Sequence, residues 1–126
     1  MILTAENYFS PEAEKLYFGS TQFKNFMDCE ARALAMINGE WKEEETTAML
    51  VGSYVDAHFS GTLDIFRAQH PDIYTQKGTL KSDYNQAEYI IARIERDEMM
   101  MRYLSGGQQT ILIGEIDGVP FKIKID

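Results

Sequence analysis

The run Phe121-Lys122-Ile123-Lys124-Ile125-Asp126 alternates apolar and charged residues, so an extended backbone sets Lys122, Lys124 and Asp126 on one face. A carboxylate at that position is a hard oxygen donor for a divalent cation, and ammonium groups beside it can meet phosphate oxygens. The same pattern also describes an open strand face whose mixed charges keep an edge soluble. Glu115 does not complete a metal site with Asp126. A tight hairpin pairs it with Pro120, and the remaining run of strand to Asp126 is roughly 20 Å long at ~3.3 Å per residue. A second group lies in Val51-Gly52-Ser53-Tyr54-Val55-Asp56-Ala57-His58-Phe59. On a helix Asp56 and His58 project about 200° apart and cannot chelate one ion together. Asp56 shares the side of Gly52 and Ser53, where small residues admit another element or a ligand; the plainer reading is a solvated acid. His58 falls near the apolar stripe, as a half-buried core histidine would. Cys29, set within a helical pattern without a histidine nearby, reads as a small, partly buried residue rather than a nucleophile.

Helices and one hairpin must position these groups. Ser10-Pro11-Glu12 predicts an N-cap and first turn for a short helix to about Leu16, ended by Gly19. A longer helix is expected from Thr21 to about Ile37, with Phe23, Phe26, Met27, Ala31, Leu34 and Ile37 on one stripe and Asn38-Gly39 as its stop. A third runs from Thr46 or Thr47 to about Phe59 on Leu50, Val51, Tyr54 and Val55, and a further piece from Thr62 to Gln69 precedes His70-Pro71. After an irregular stretch with a turn at Gly78, the pattern predicts one long helix from Asp83 to about Leu104. The period then changes. Thr110–Ile116 and Val119–Asp126 flank Asp117-Gly118, the dipeptide of a type I′ hairpin. That register assigns Leu112, Ile116, Val119, Phe121, Ile123 and Ile125 to a core face. The expected fold class is α+β, with N-terminal helices packed on an antiparallel β-hairpin.

Composition narrows the function classes. The chain has 126 residues, 44% hydrophobic and 25% charged, which suits a single ordinary domain over 1–126. No apolar run approaches the ~18 residues of a membrane span, and the first ten residues lack a basic start, so neither a membrane segment nor a secretory signal is expected. The single cysteine excludes a disulfide framework and suits a reducing cytoplasm. A net charge of −8 argues against a protein that merely coats nucleic acid, since such affinity comes largely from Lys and Arg. Acidic enzymes that hold metal with carboxylates and grip phosphate with small basic patches remain. No phosphate loop, dinucleotide fingerprint or zinc-ligand spacing is present.

Taken in order, Ser20-Thr21-Gln22-Phe23-Lys24-Asn25-Phe26 opening a helix, Val51-Gly52-Ser53-Tyr54-Val55-Asp56, and Gly118-Val119-Pro120-Phe121-Lys122-Ile123-Lys124-Ile125-Asp126 resemble the RecE-like phage and prophage exonucleases of the PD-(D/E)XK nuclease superfamily. The resemblance runs from about Ser20 onward and lies in order and spacing rather than in any one motif. It implies the first part of a restriction-endonuclease-like α/β core and Mg²⁺- or Mn²⁺-assisted hydrolysis of phosphodiesters at double-stranded DNA ends, processive from 5′ to 3′, for recombination. In that family a Gly-x-x-x-His element on a helix helps bind metal; Gly52 matches its glycine and Asp56 stands in place of its histidine. Asp126 matches the first catalytic Asp and metal ligand. Lys122 and Lys124 would contact DNA. The family continues through an acid-x-Lys element that nothing in this chain matches, and the chain stops at Ile125-Asp126 within a strand-like alternation. The expectation is therefore an N-terminal part of a longer nuclease, inactive by itself. The resemblance also implies the bacterial host cytoplasm, self-association, and a single-strand annealing protein as partner. Two other readings compete: a non-catalytic phage DNA-binding or accessory protein that keeps the fold, and a small α+β interaction protein with no DNA role.

Overall fold

The computed structural model describes residues 1–125. It divides into two compact units: a sheet unit formed by Met1–Glu43 with the chain from Gly107 onward, and a helical unit, Glu44–Gly106.

In the sheet unit, Ser10 caps helix α1 (Pro11–Leu16) by accepting the Ala13 N–H, with Pro11 in the first turn as expected. A two-residue strand β1 (Phe18–Gly19) follows and leads directly into α2 (Ser20–Asp28). The predicted single helix to Ile37 is broken at Cys29, whose backbone is extended (φ −152°, ψ 105°), and resumes as α3 (Glu30–Asn38). Cys29 is exposed, not partly buried as expected. Gly39, at φ 76°, closes α3 in the left-handed conformation that glycine adopts without a Cβ clash.

Strands β2 (Thr110–Ile116) and β3 (Val119–Ile125) form the expected hairpin, and Asp117 and Gly118 have the positive φ values (50° and 79°) of a type I′ turn. Ile116 faces Val119, Gly114 faces Phe121 and Leu112 faces Ile123, as the tight register requires. β1 pairs in parallel with β3, Phe18 against Phe121, giving a three-stranded mixed sheet in the order β1-β3-β2.

The covered face of this sheet is opposite to the expected one. Lys122 is buried, with 1% of its surface exposed, whereas Leu112, Ile116, Val119, Ile123 and Ile125 are between 44% and 60% exposed. The lysine face is covered by the N-terminal segment, whose core is Leu3, Tyr8 and Ala13 with Tyr17 and Ile111 packed against it. Alternation separates two faces but does not say which one the rest of the chain covers. On the other face Phe121 meets Phe18 edge-to-face at 5.4 Å, and Phe18 in turn packs against Phe23 and Phe26 of α2.

The helical unit comprises α4 (Thr47–Phe59), α5 (Leu63–Gln69), a 3₁₀ turn (Pro71–Ile73), α6 (Ser82–Glu95) and α7 (Glu98–Leu104). Thr46 caps α4 through the Met49 N–H. The predicted stripe is realised: Tyr54 is fully buried and Leu50, Val51 and Val55 pack around it with Phe66, Ile73, Tyr84 and Ile91. The long helix expected to Leu104 divides where Asp97 accepts the N–H groups of Met99 and Met100 and so caps α7.

At the centre of this unit the Tyr54 hydroxyl donates to Glu88 and accepts from Arg67 Nη2 at 2.9 Å, while Arg67 and Glu88 themselves pair at 3.3 Å. Burial, then the hydrogen bond to Glu88, holds the Tyr54 phenol above its ordinary pKa, with Arg67 opposing. Burial also raises Tyr84. The folded state thus favours the protonated phenols, and this stabilisation is complete below the ordinary phenol value of about 10 and lost as pH rises through the raised values. Tyr54→Phe is expected to destabilise the unit by about 1 kcal/mol at neutral pH, because Arg67 and Glu88 can still pair. The same variant should show a shallower loss of stability above about pH 10 than the wild type. Urea unfolding across pH 8–11 checks both, and an unchanged alkaline slope would show that the Tyr54 phenol is not a source of it.

Candidate functional site

Asp56 and His58 follow from their places on α4. Tyr54 and Ala57 turn into the core, so Asp56 emerges exposed beside the exposed Gly52 and Ser53, where a Cβ added to Gly52 would meet nothing within 4 Å. His58 is half-buried and its Nε2 pairs with Glu95 Oε1 on α6 at 2.6 Å. Its ring is therefore engaged on a different side from Asp56, as the helical angle requires.

On the sheet unit, β3 separates the roles expected of its lysines. Lys122 Nζ donates to the Tyr8 carbonyl and to Glu14 Oε1 at 2.7 Å, and lies 4.5 Å from the centre of the Tyr8 ring. The expectation that Lys122 presents its charge on an open face is overturned, because the N-terminal segment and α1 enclose it. Burial, then the charge of Glu14, raises the Tyr8 phenol above its ordinary value. Lys124 is half-buried, and its Nζ stands over Phe9 at 4.8 Å and over Tyr8 at 5.5 Å. Asp126 lies outside the described residues.

Glu14 and Gln22 are the residues sequence reasoning missed. Gln22 Nε2 donates to Glu14 Oε2 at 2.6 Å and to the Glu14 carbonyl at 2.7 Å, while its Oε1 accepts the Gly19 N–H at 3.2 Å. Lys122, Glu14, Gln22 and Gly19 thus form one chain of contacts tying β3, α1, α2 and β1. The acidic first turn of α1 was visible, but a partner 108 positions away leaves no local signal.

Among the described residues no group of three or more His, Cys, Asp or Glu side chains is placed to hold a metal ion. The donor chemistry at Asp56 nonetheless fits a hard divalent cation: an exposed carboxylate with open space beside it supplies one oxygen ligand, and Mg²⁺ typically takes one or two carboxylates and completes its shell with water and phosphate.

Residues 19–126 match the family described as a PDDEXK-like domain of unknown function, DUF3799. The chain belongs to this family. A crystal structure from Eubacterium rectale, described as a putative exonuclease, is 50% identical and superposes with a TM-score of 0.94 over 100% of this chain and 50% of its own. The chain thus spans half the length of that relative. No curated protein matches it. DUF3799 membership and this structural likeness place the chain in the PD-(D/E)XK nuclease superfamily, with an α+β fold of helices and a small mixed sheet. Among the described residues no helix is long and apolar enough to cross a membrane.

Proposed function

We propose that the chain is the N-terminal part of a divalent-metal-dependent DNA exonuclease of RecE-like type, acting on duplex ends in phage or prophage recombination. The observation that carries this reading is 50% identity along the whole chain to a relative described as a putative exonuclease, within a PDDEXK-like family. Asp126 and Asp56 would hold Mg²⁺ or Mn²⁺ together with an acid from a downstream acid-x-Lys element. A cation so held lowers the pKa of an attacking water and offsets the charge that develops on the scissile phosphate. Lys124 would meet backbone phosphate near β3, and Lys122 would hold the strand in place through Glu14.

The open sheet face supports the larger assembly. Leu112, Ile116, Val119, Ile123 and Ile125 form an apolar surface that a stable protein covers, and in this reading the remaining length of the nuclease fold covers it. The replacement of the family's histidine by Asp56 favours a second reading, a DNA-binding protein that has kept the fold without the chemistry.

The test is a protein extended to the length of the solved relative, given Mg²⁺ or Mn²⁺ and either linear or covalently closed duplex. The expected result is digestion of the linear DNA alone, abolished by EDTA, with residues 1–126 inactive under the same conditions. Binding to ends without digestion would establish the second reading, and absence of both would leave an interaction protein with no DNA role. Digestion by residues 1–126 alone would refute the need for a downstream element.

A further inference from the structure

The sheet unit contains a cleft of about 380 Å³ that the proposed hydrolysis does not use, lined among others by Phe9, Glu14, Gln22, Ala33, Met36 and Trp41. That volume lies within the range of sites for small organic groups. Its chemistry is specific. Phe9 and Trp41, 69% and 43% exposed, bring aromatic surface to it, while Ala33 and Met36 line it with small and polarisable apolar atoms. Phe9 is set against Tyr8, ring centres 4.8 Å apart and nearly perpendicular.

The polar lining is equally particular. Gln22 is 6% exposed and its amide is committed to Glu14 and to the Gly19 N–H. The Glu14 carboxylate is neutralised by Lys122 through one oxygen and bound by Gln22 through the other. A carboxylate has about four acceptor positions, so these two contacts leave Glu14 able to receive further N–H groups without presenting a net negative charge. Lys124, 4.8 Å from the Phe9 ring centre, brings a cation for a polyanion, and Lys42 on the cleft lining brings a second with the Glu43 carboxylate beside it. A flat aromatic ring with N–H donors at its edge, carried on a phosphate chain, satisfies all of these features together.

We propose that this cleft takes one unpaired base of a DNA strand, stacked on Phe9 and Trp41 and hydrogen-bonded at its edge to Glu14. The identity of the polyanion as DNA rests on the nuclease reading above; the aromatic and carboxylate chemistry of the cleft does not.

Trp41 is the only tryptophan, so its emission reports on the cleft directly. The chain is titrated at low salt with an end-labelled mixed-sequence oligodeoxynucleotide and with an abasic strand of equal length and phosphate number, reading label anisotropy and Trp41 emission together. The expected result is saturable quenching by the base-bearing strand and about tenfold weaker binding of the abasic one, since a stacked base contributes ~1–3 kcal/mol and 1.4 kcal/mol is tenfold. Phe9→Ala and Trp41→Leu, both at exposed positions, should each weaken the base-bearing strand about tenfold by anisotropy and leave the abasic strand unchanged. Equal binding of both strands with Trp41 emission unmoved would overturn the cleft while sparing the nuclease reading. Binding of neither strand would overturn the cleft, and the nuclease reading is then decided separately by digestion of linear duplex by the extended protein.

Discussion

Asp126→Ala, made in the extended protein, is expected to lower metal-dependent hydrolysis of linear duplex by about a thousandfold or more while leaving end binding within a few-fold of wild type. The size follows from the proposed role. A carboxylate that holds a catalytic cation contributes only where charge is being redistributed, and such contributions amount to several kcal/mol, with each 1.36 kcal/mol a factor of ten in rate. In the proposed complex, binding to the DNA end would draw on cations such as Lys124 and on stacking, neither of which Asp126 supplies. Two controls separate chemistry from folding. Asp126→Asn keeps the size and loses the charge, and should match the alanine variant; Asp126→Glu keeps the charge on a longer arm, and should recover part of the rate when Mn²⁺ replaces the stricter Mg²⁺. Asp56→Ala is the companion measurement: a rise in the metal concentration needed for half-maximal rate would make Asp56 a ligand. Full activity in Asp126→Ala would remove Asp126 from the site.

How far such a site is legible in the sequence depends on whether the signal is local. The hairpin was readable to the residue, because Asp117-Gly118 accepts positive φ at two successive positions and so fixes which residues face each other. The stripe of α4 was equally plain, and with it the separation of Asp56 from His58. The breaks at Cys29 and Asp97 interrupt apolar periodicities that continue across them, so a pattern-based reading runs through both. Asp97-Glu98 does carry a capping signal that could have divided α6 from α7. Strand β1 was hidden for another reason: two residues are too few to show a period, and Gly19 read as a helix stop. That short strand extends the edge of β3, while the N-terminal segment and α1 enclose its lysine face. The misplacement of Lys122 is therefore an error of tertiary cover, not of secondary structure.

Glu14→Ala is expected to destabilise the sheet unit by about 3–5 kcal/mol, far more than removal of the lysine it pairs with. With Glu14 gone, the Lys122 ammonium, 1% exposed, keeps only the Tyr8 carbonyl and ring, and a buried charge without a counter-ion carries its full desolvation penalty. Gln22 Nε2 also loses its carboxylate partner but retains the Glu14 main-chain carbonyl. Lys122→Met removes the charge and fills a similar volume, and the Glu14 side chain, 28% exposed and still bonded to Gln22, can turn to water; a loss of about 1 kcal/mol is expected. The double variant should then resemble Lys122→Met alone, because the residues act as one unit and their effects do not add. Urea unfolding followed through Trp41, which lies in the same unit, measures all three. Equal losses in the two single variants would mean that water reaches Lys122 and that the pair contributes little. The asymmetry, if found, separates two functions for the lysine. A residue kept only for stability is replaceable by methionine, whereas one that sets the position of β3 should leave a Lys122→Met extended protein folded but impaired in turnover, since β3 leads directly to Asp126.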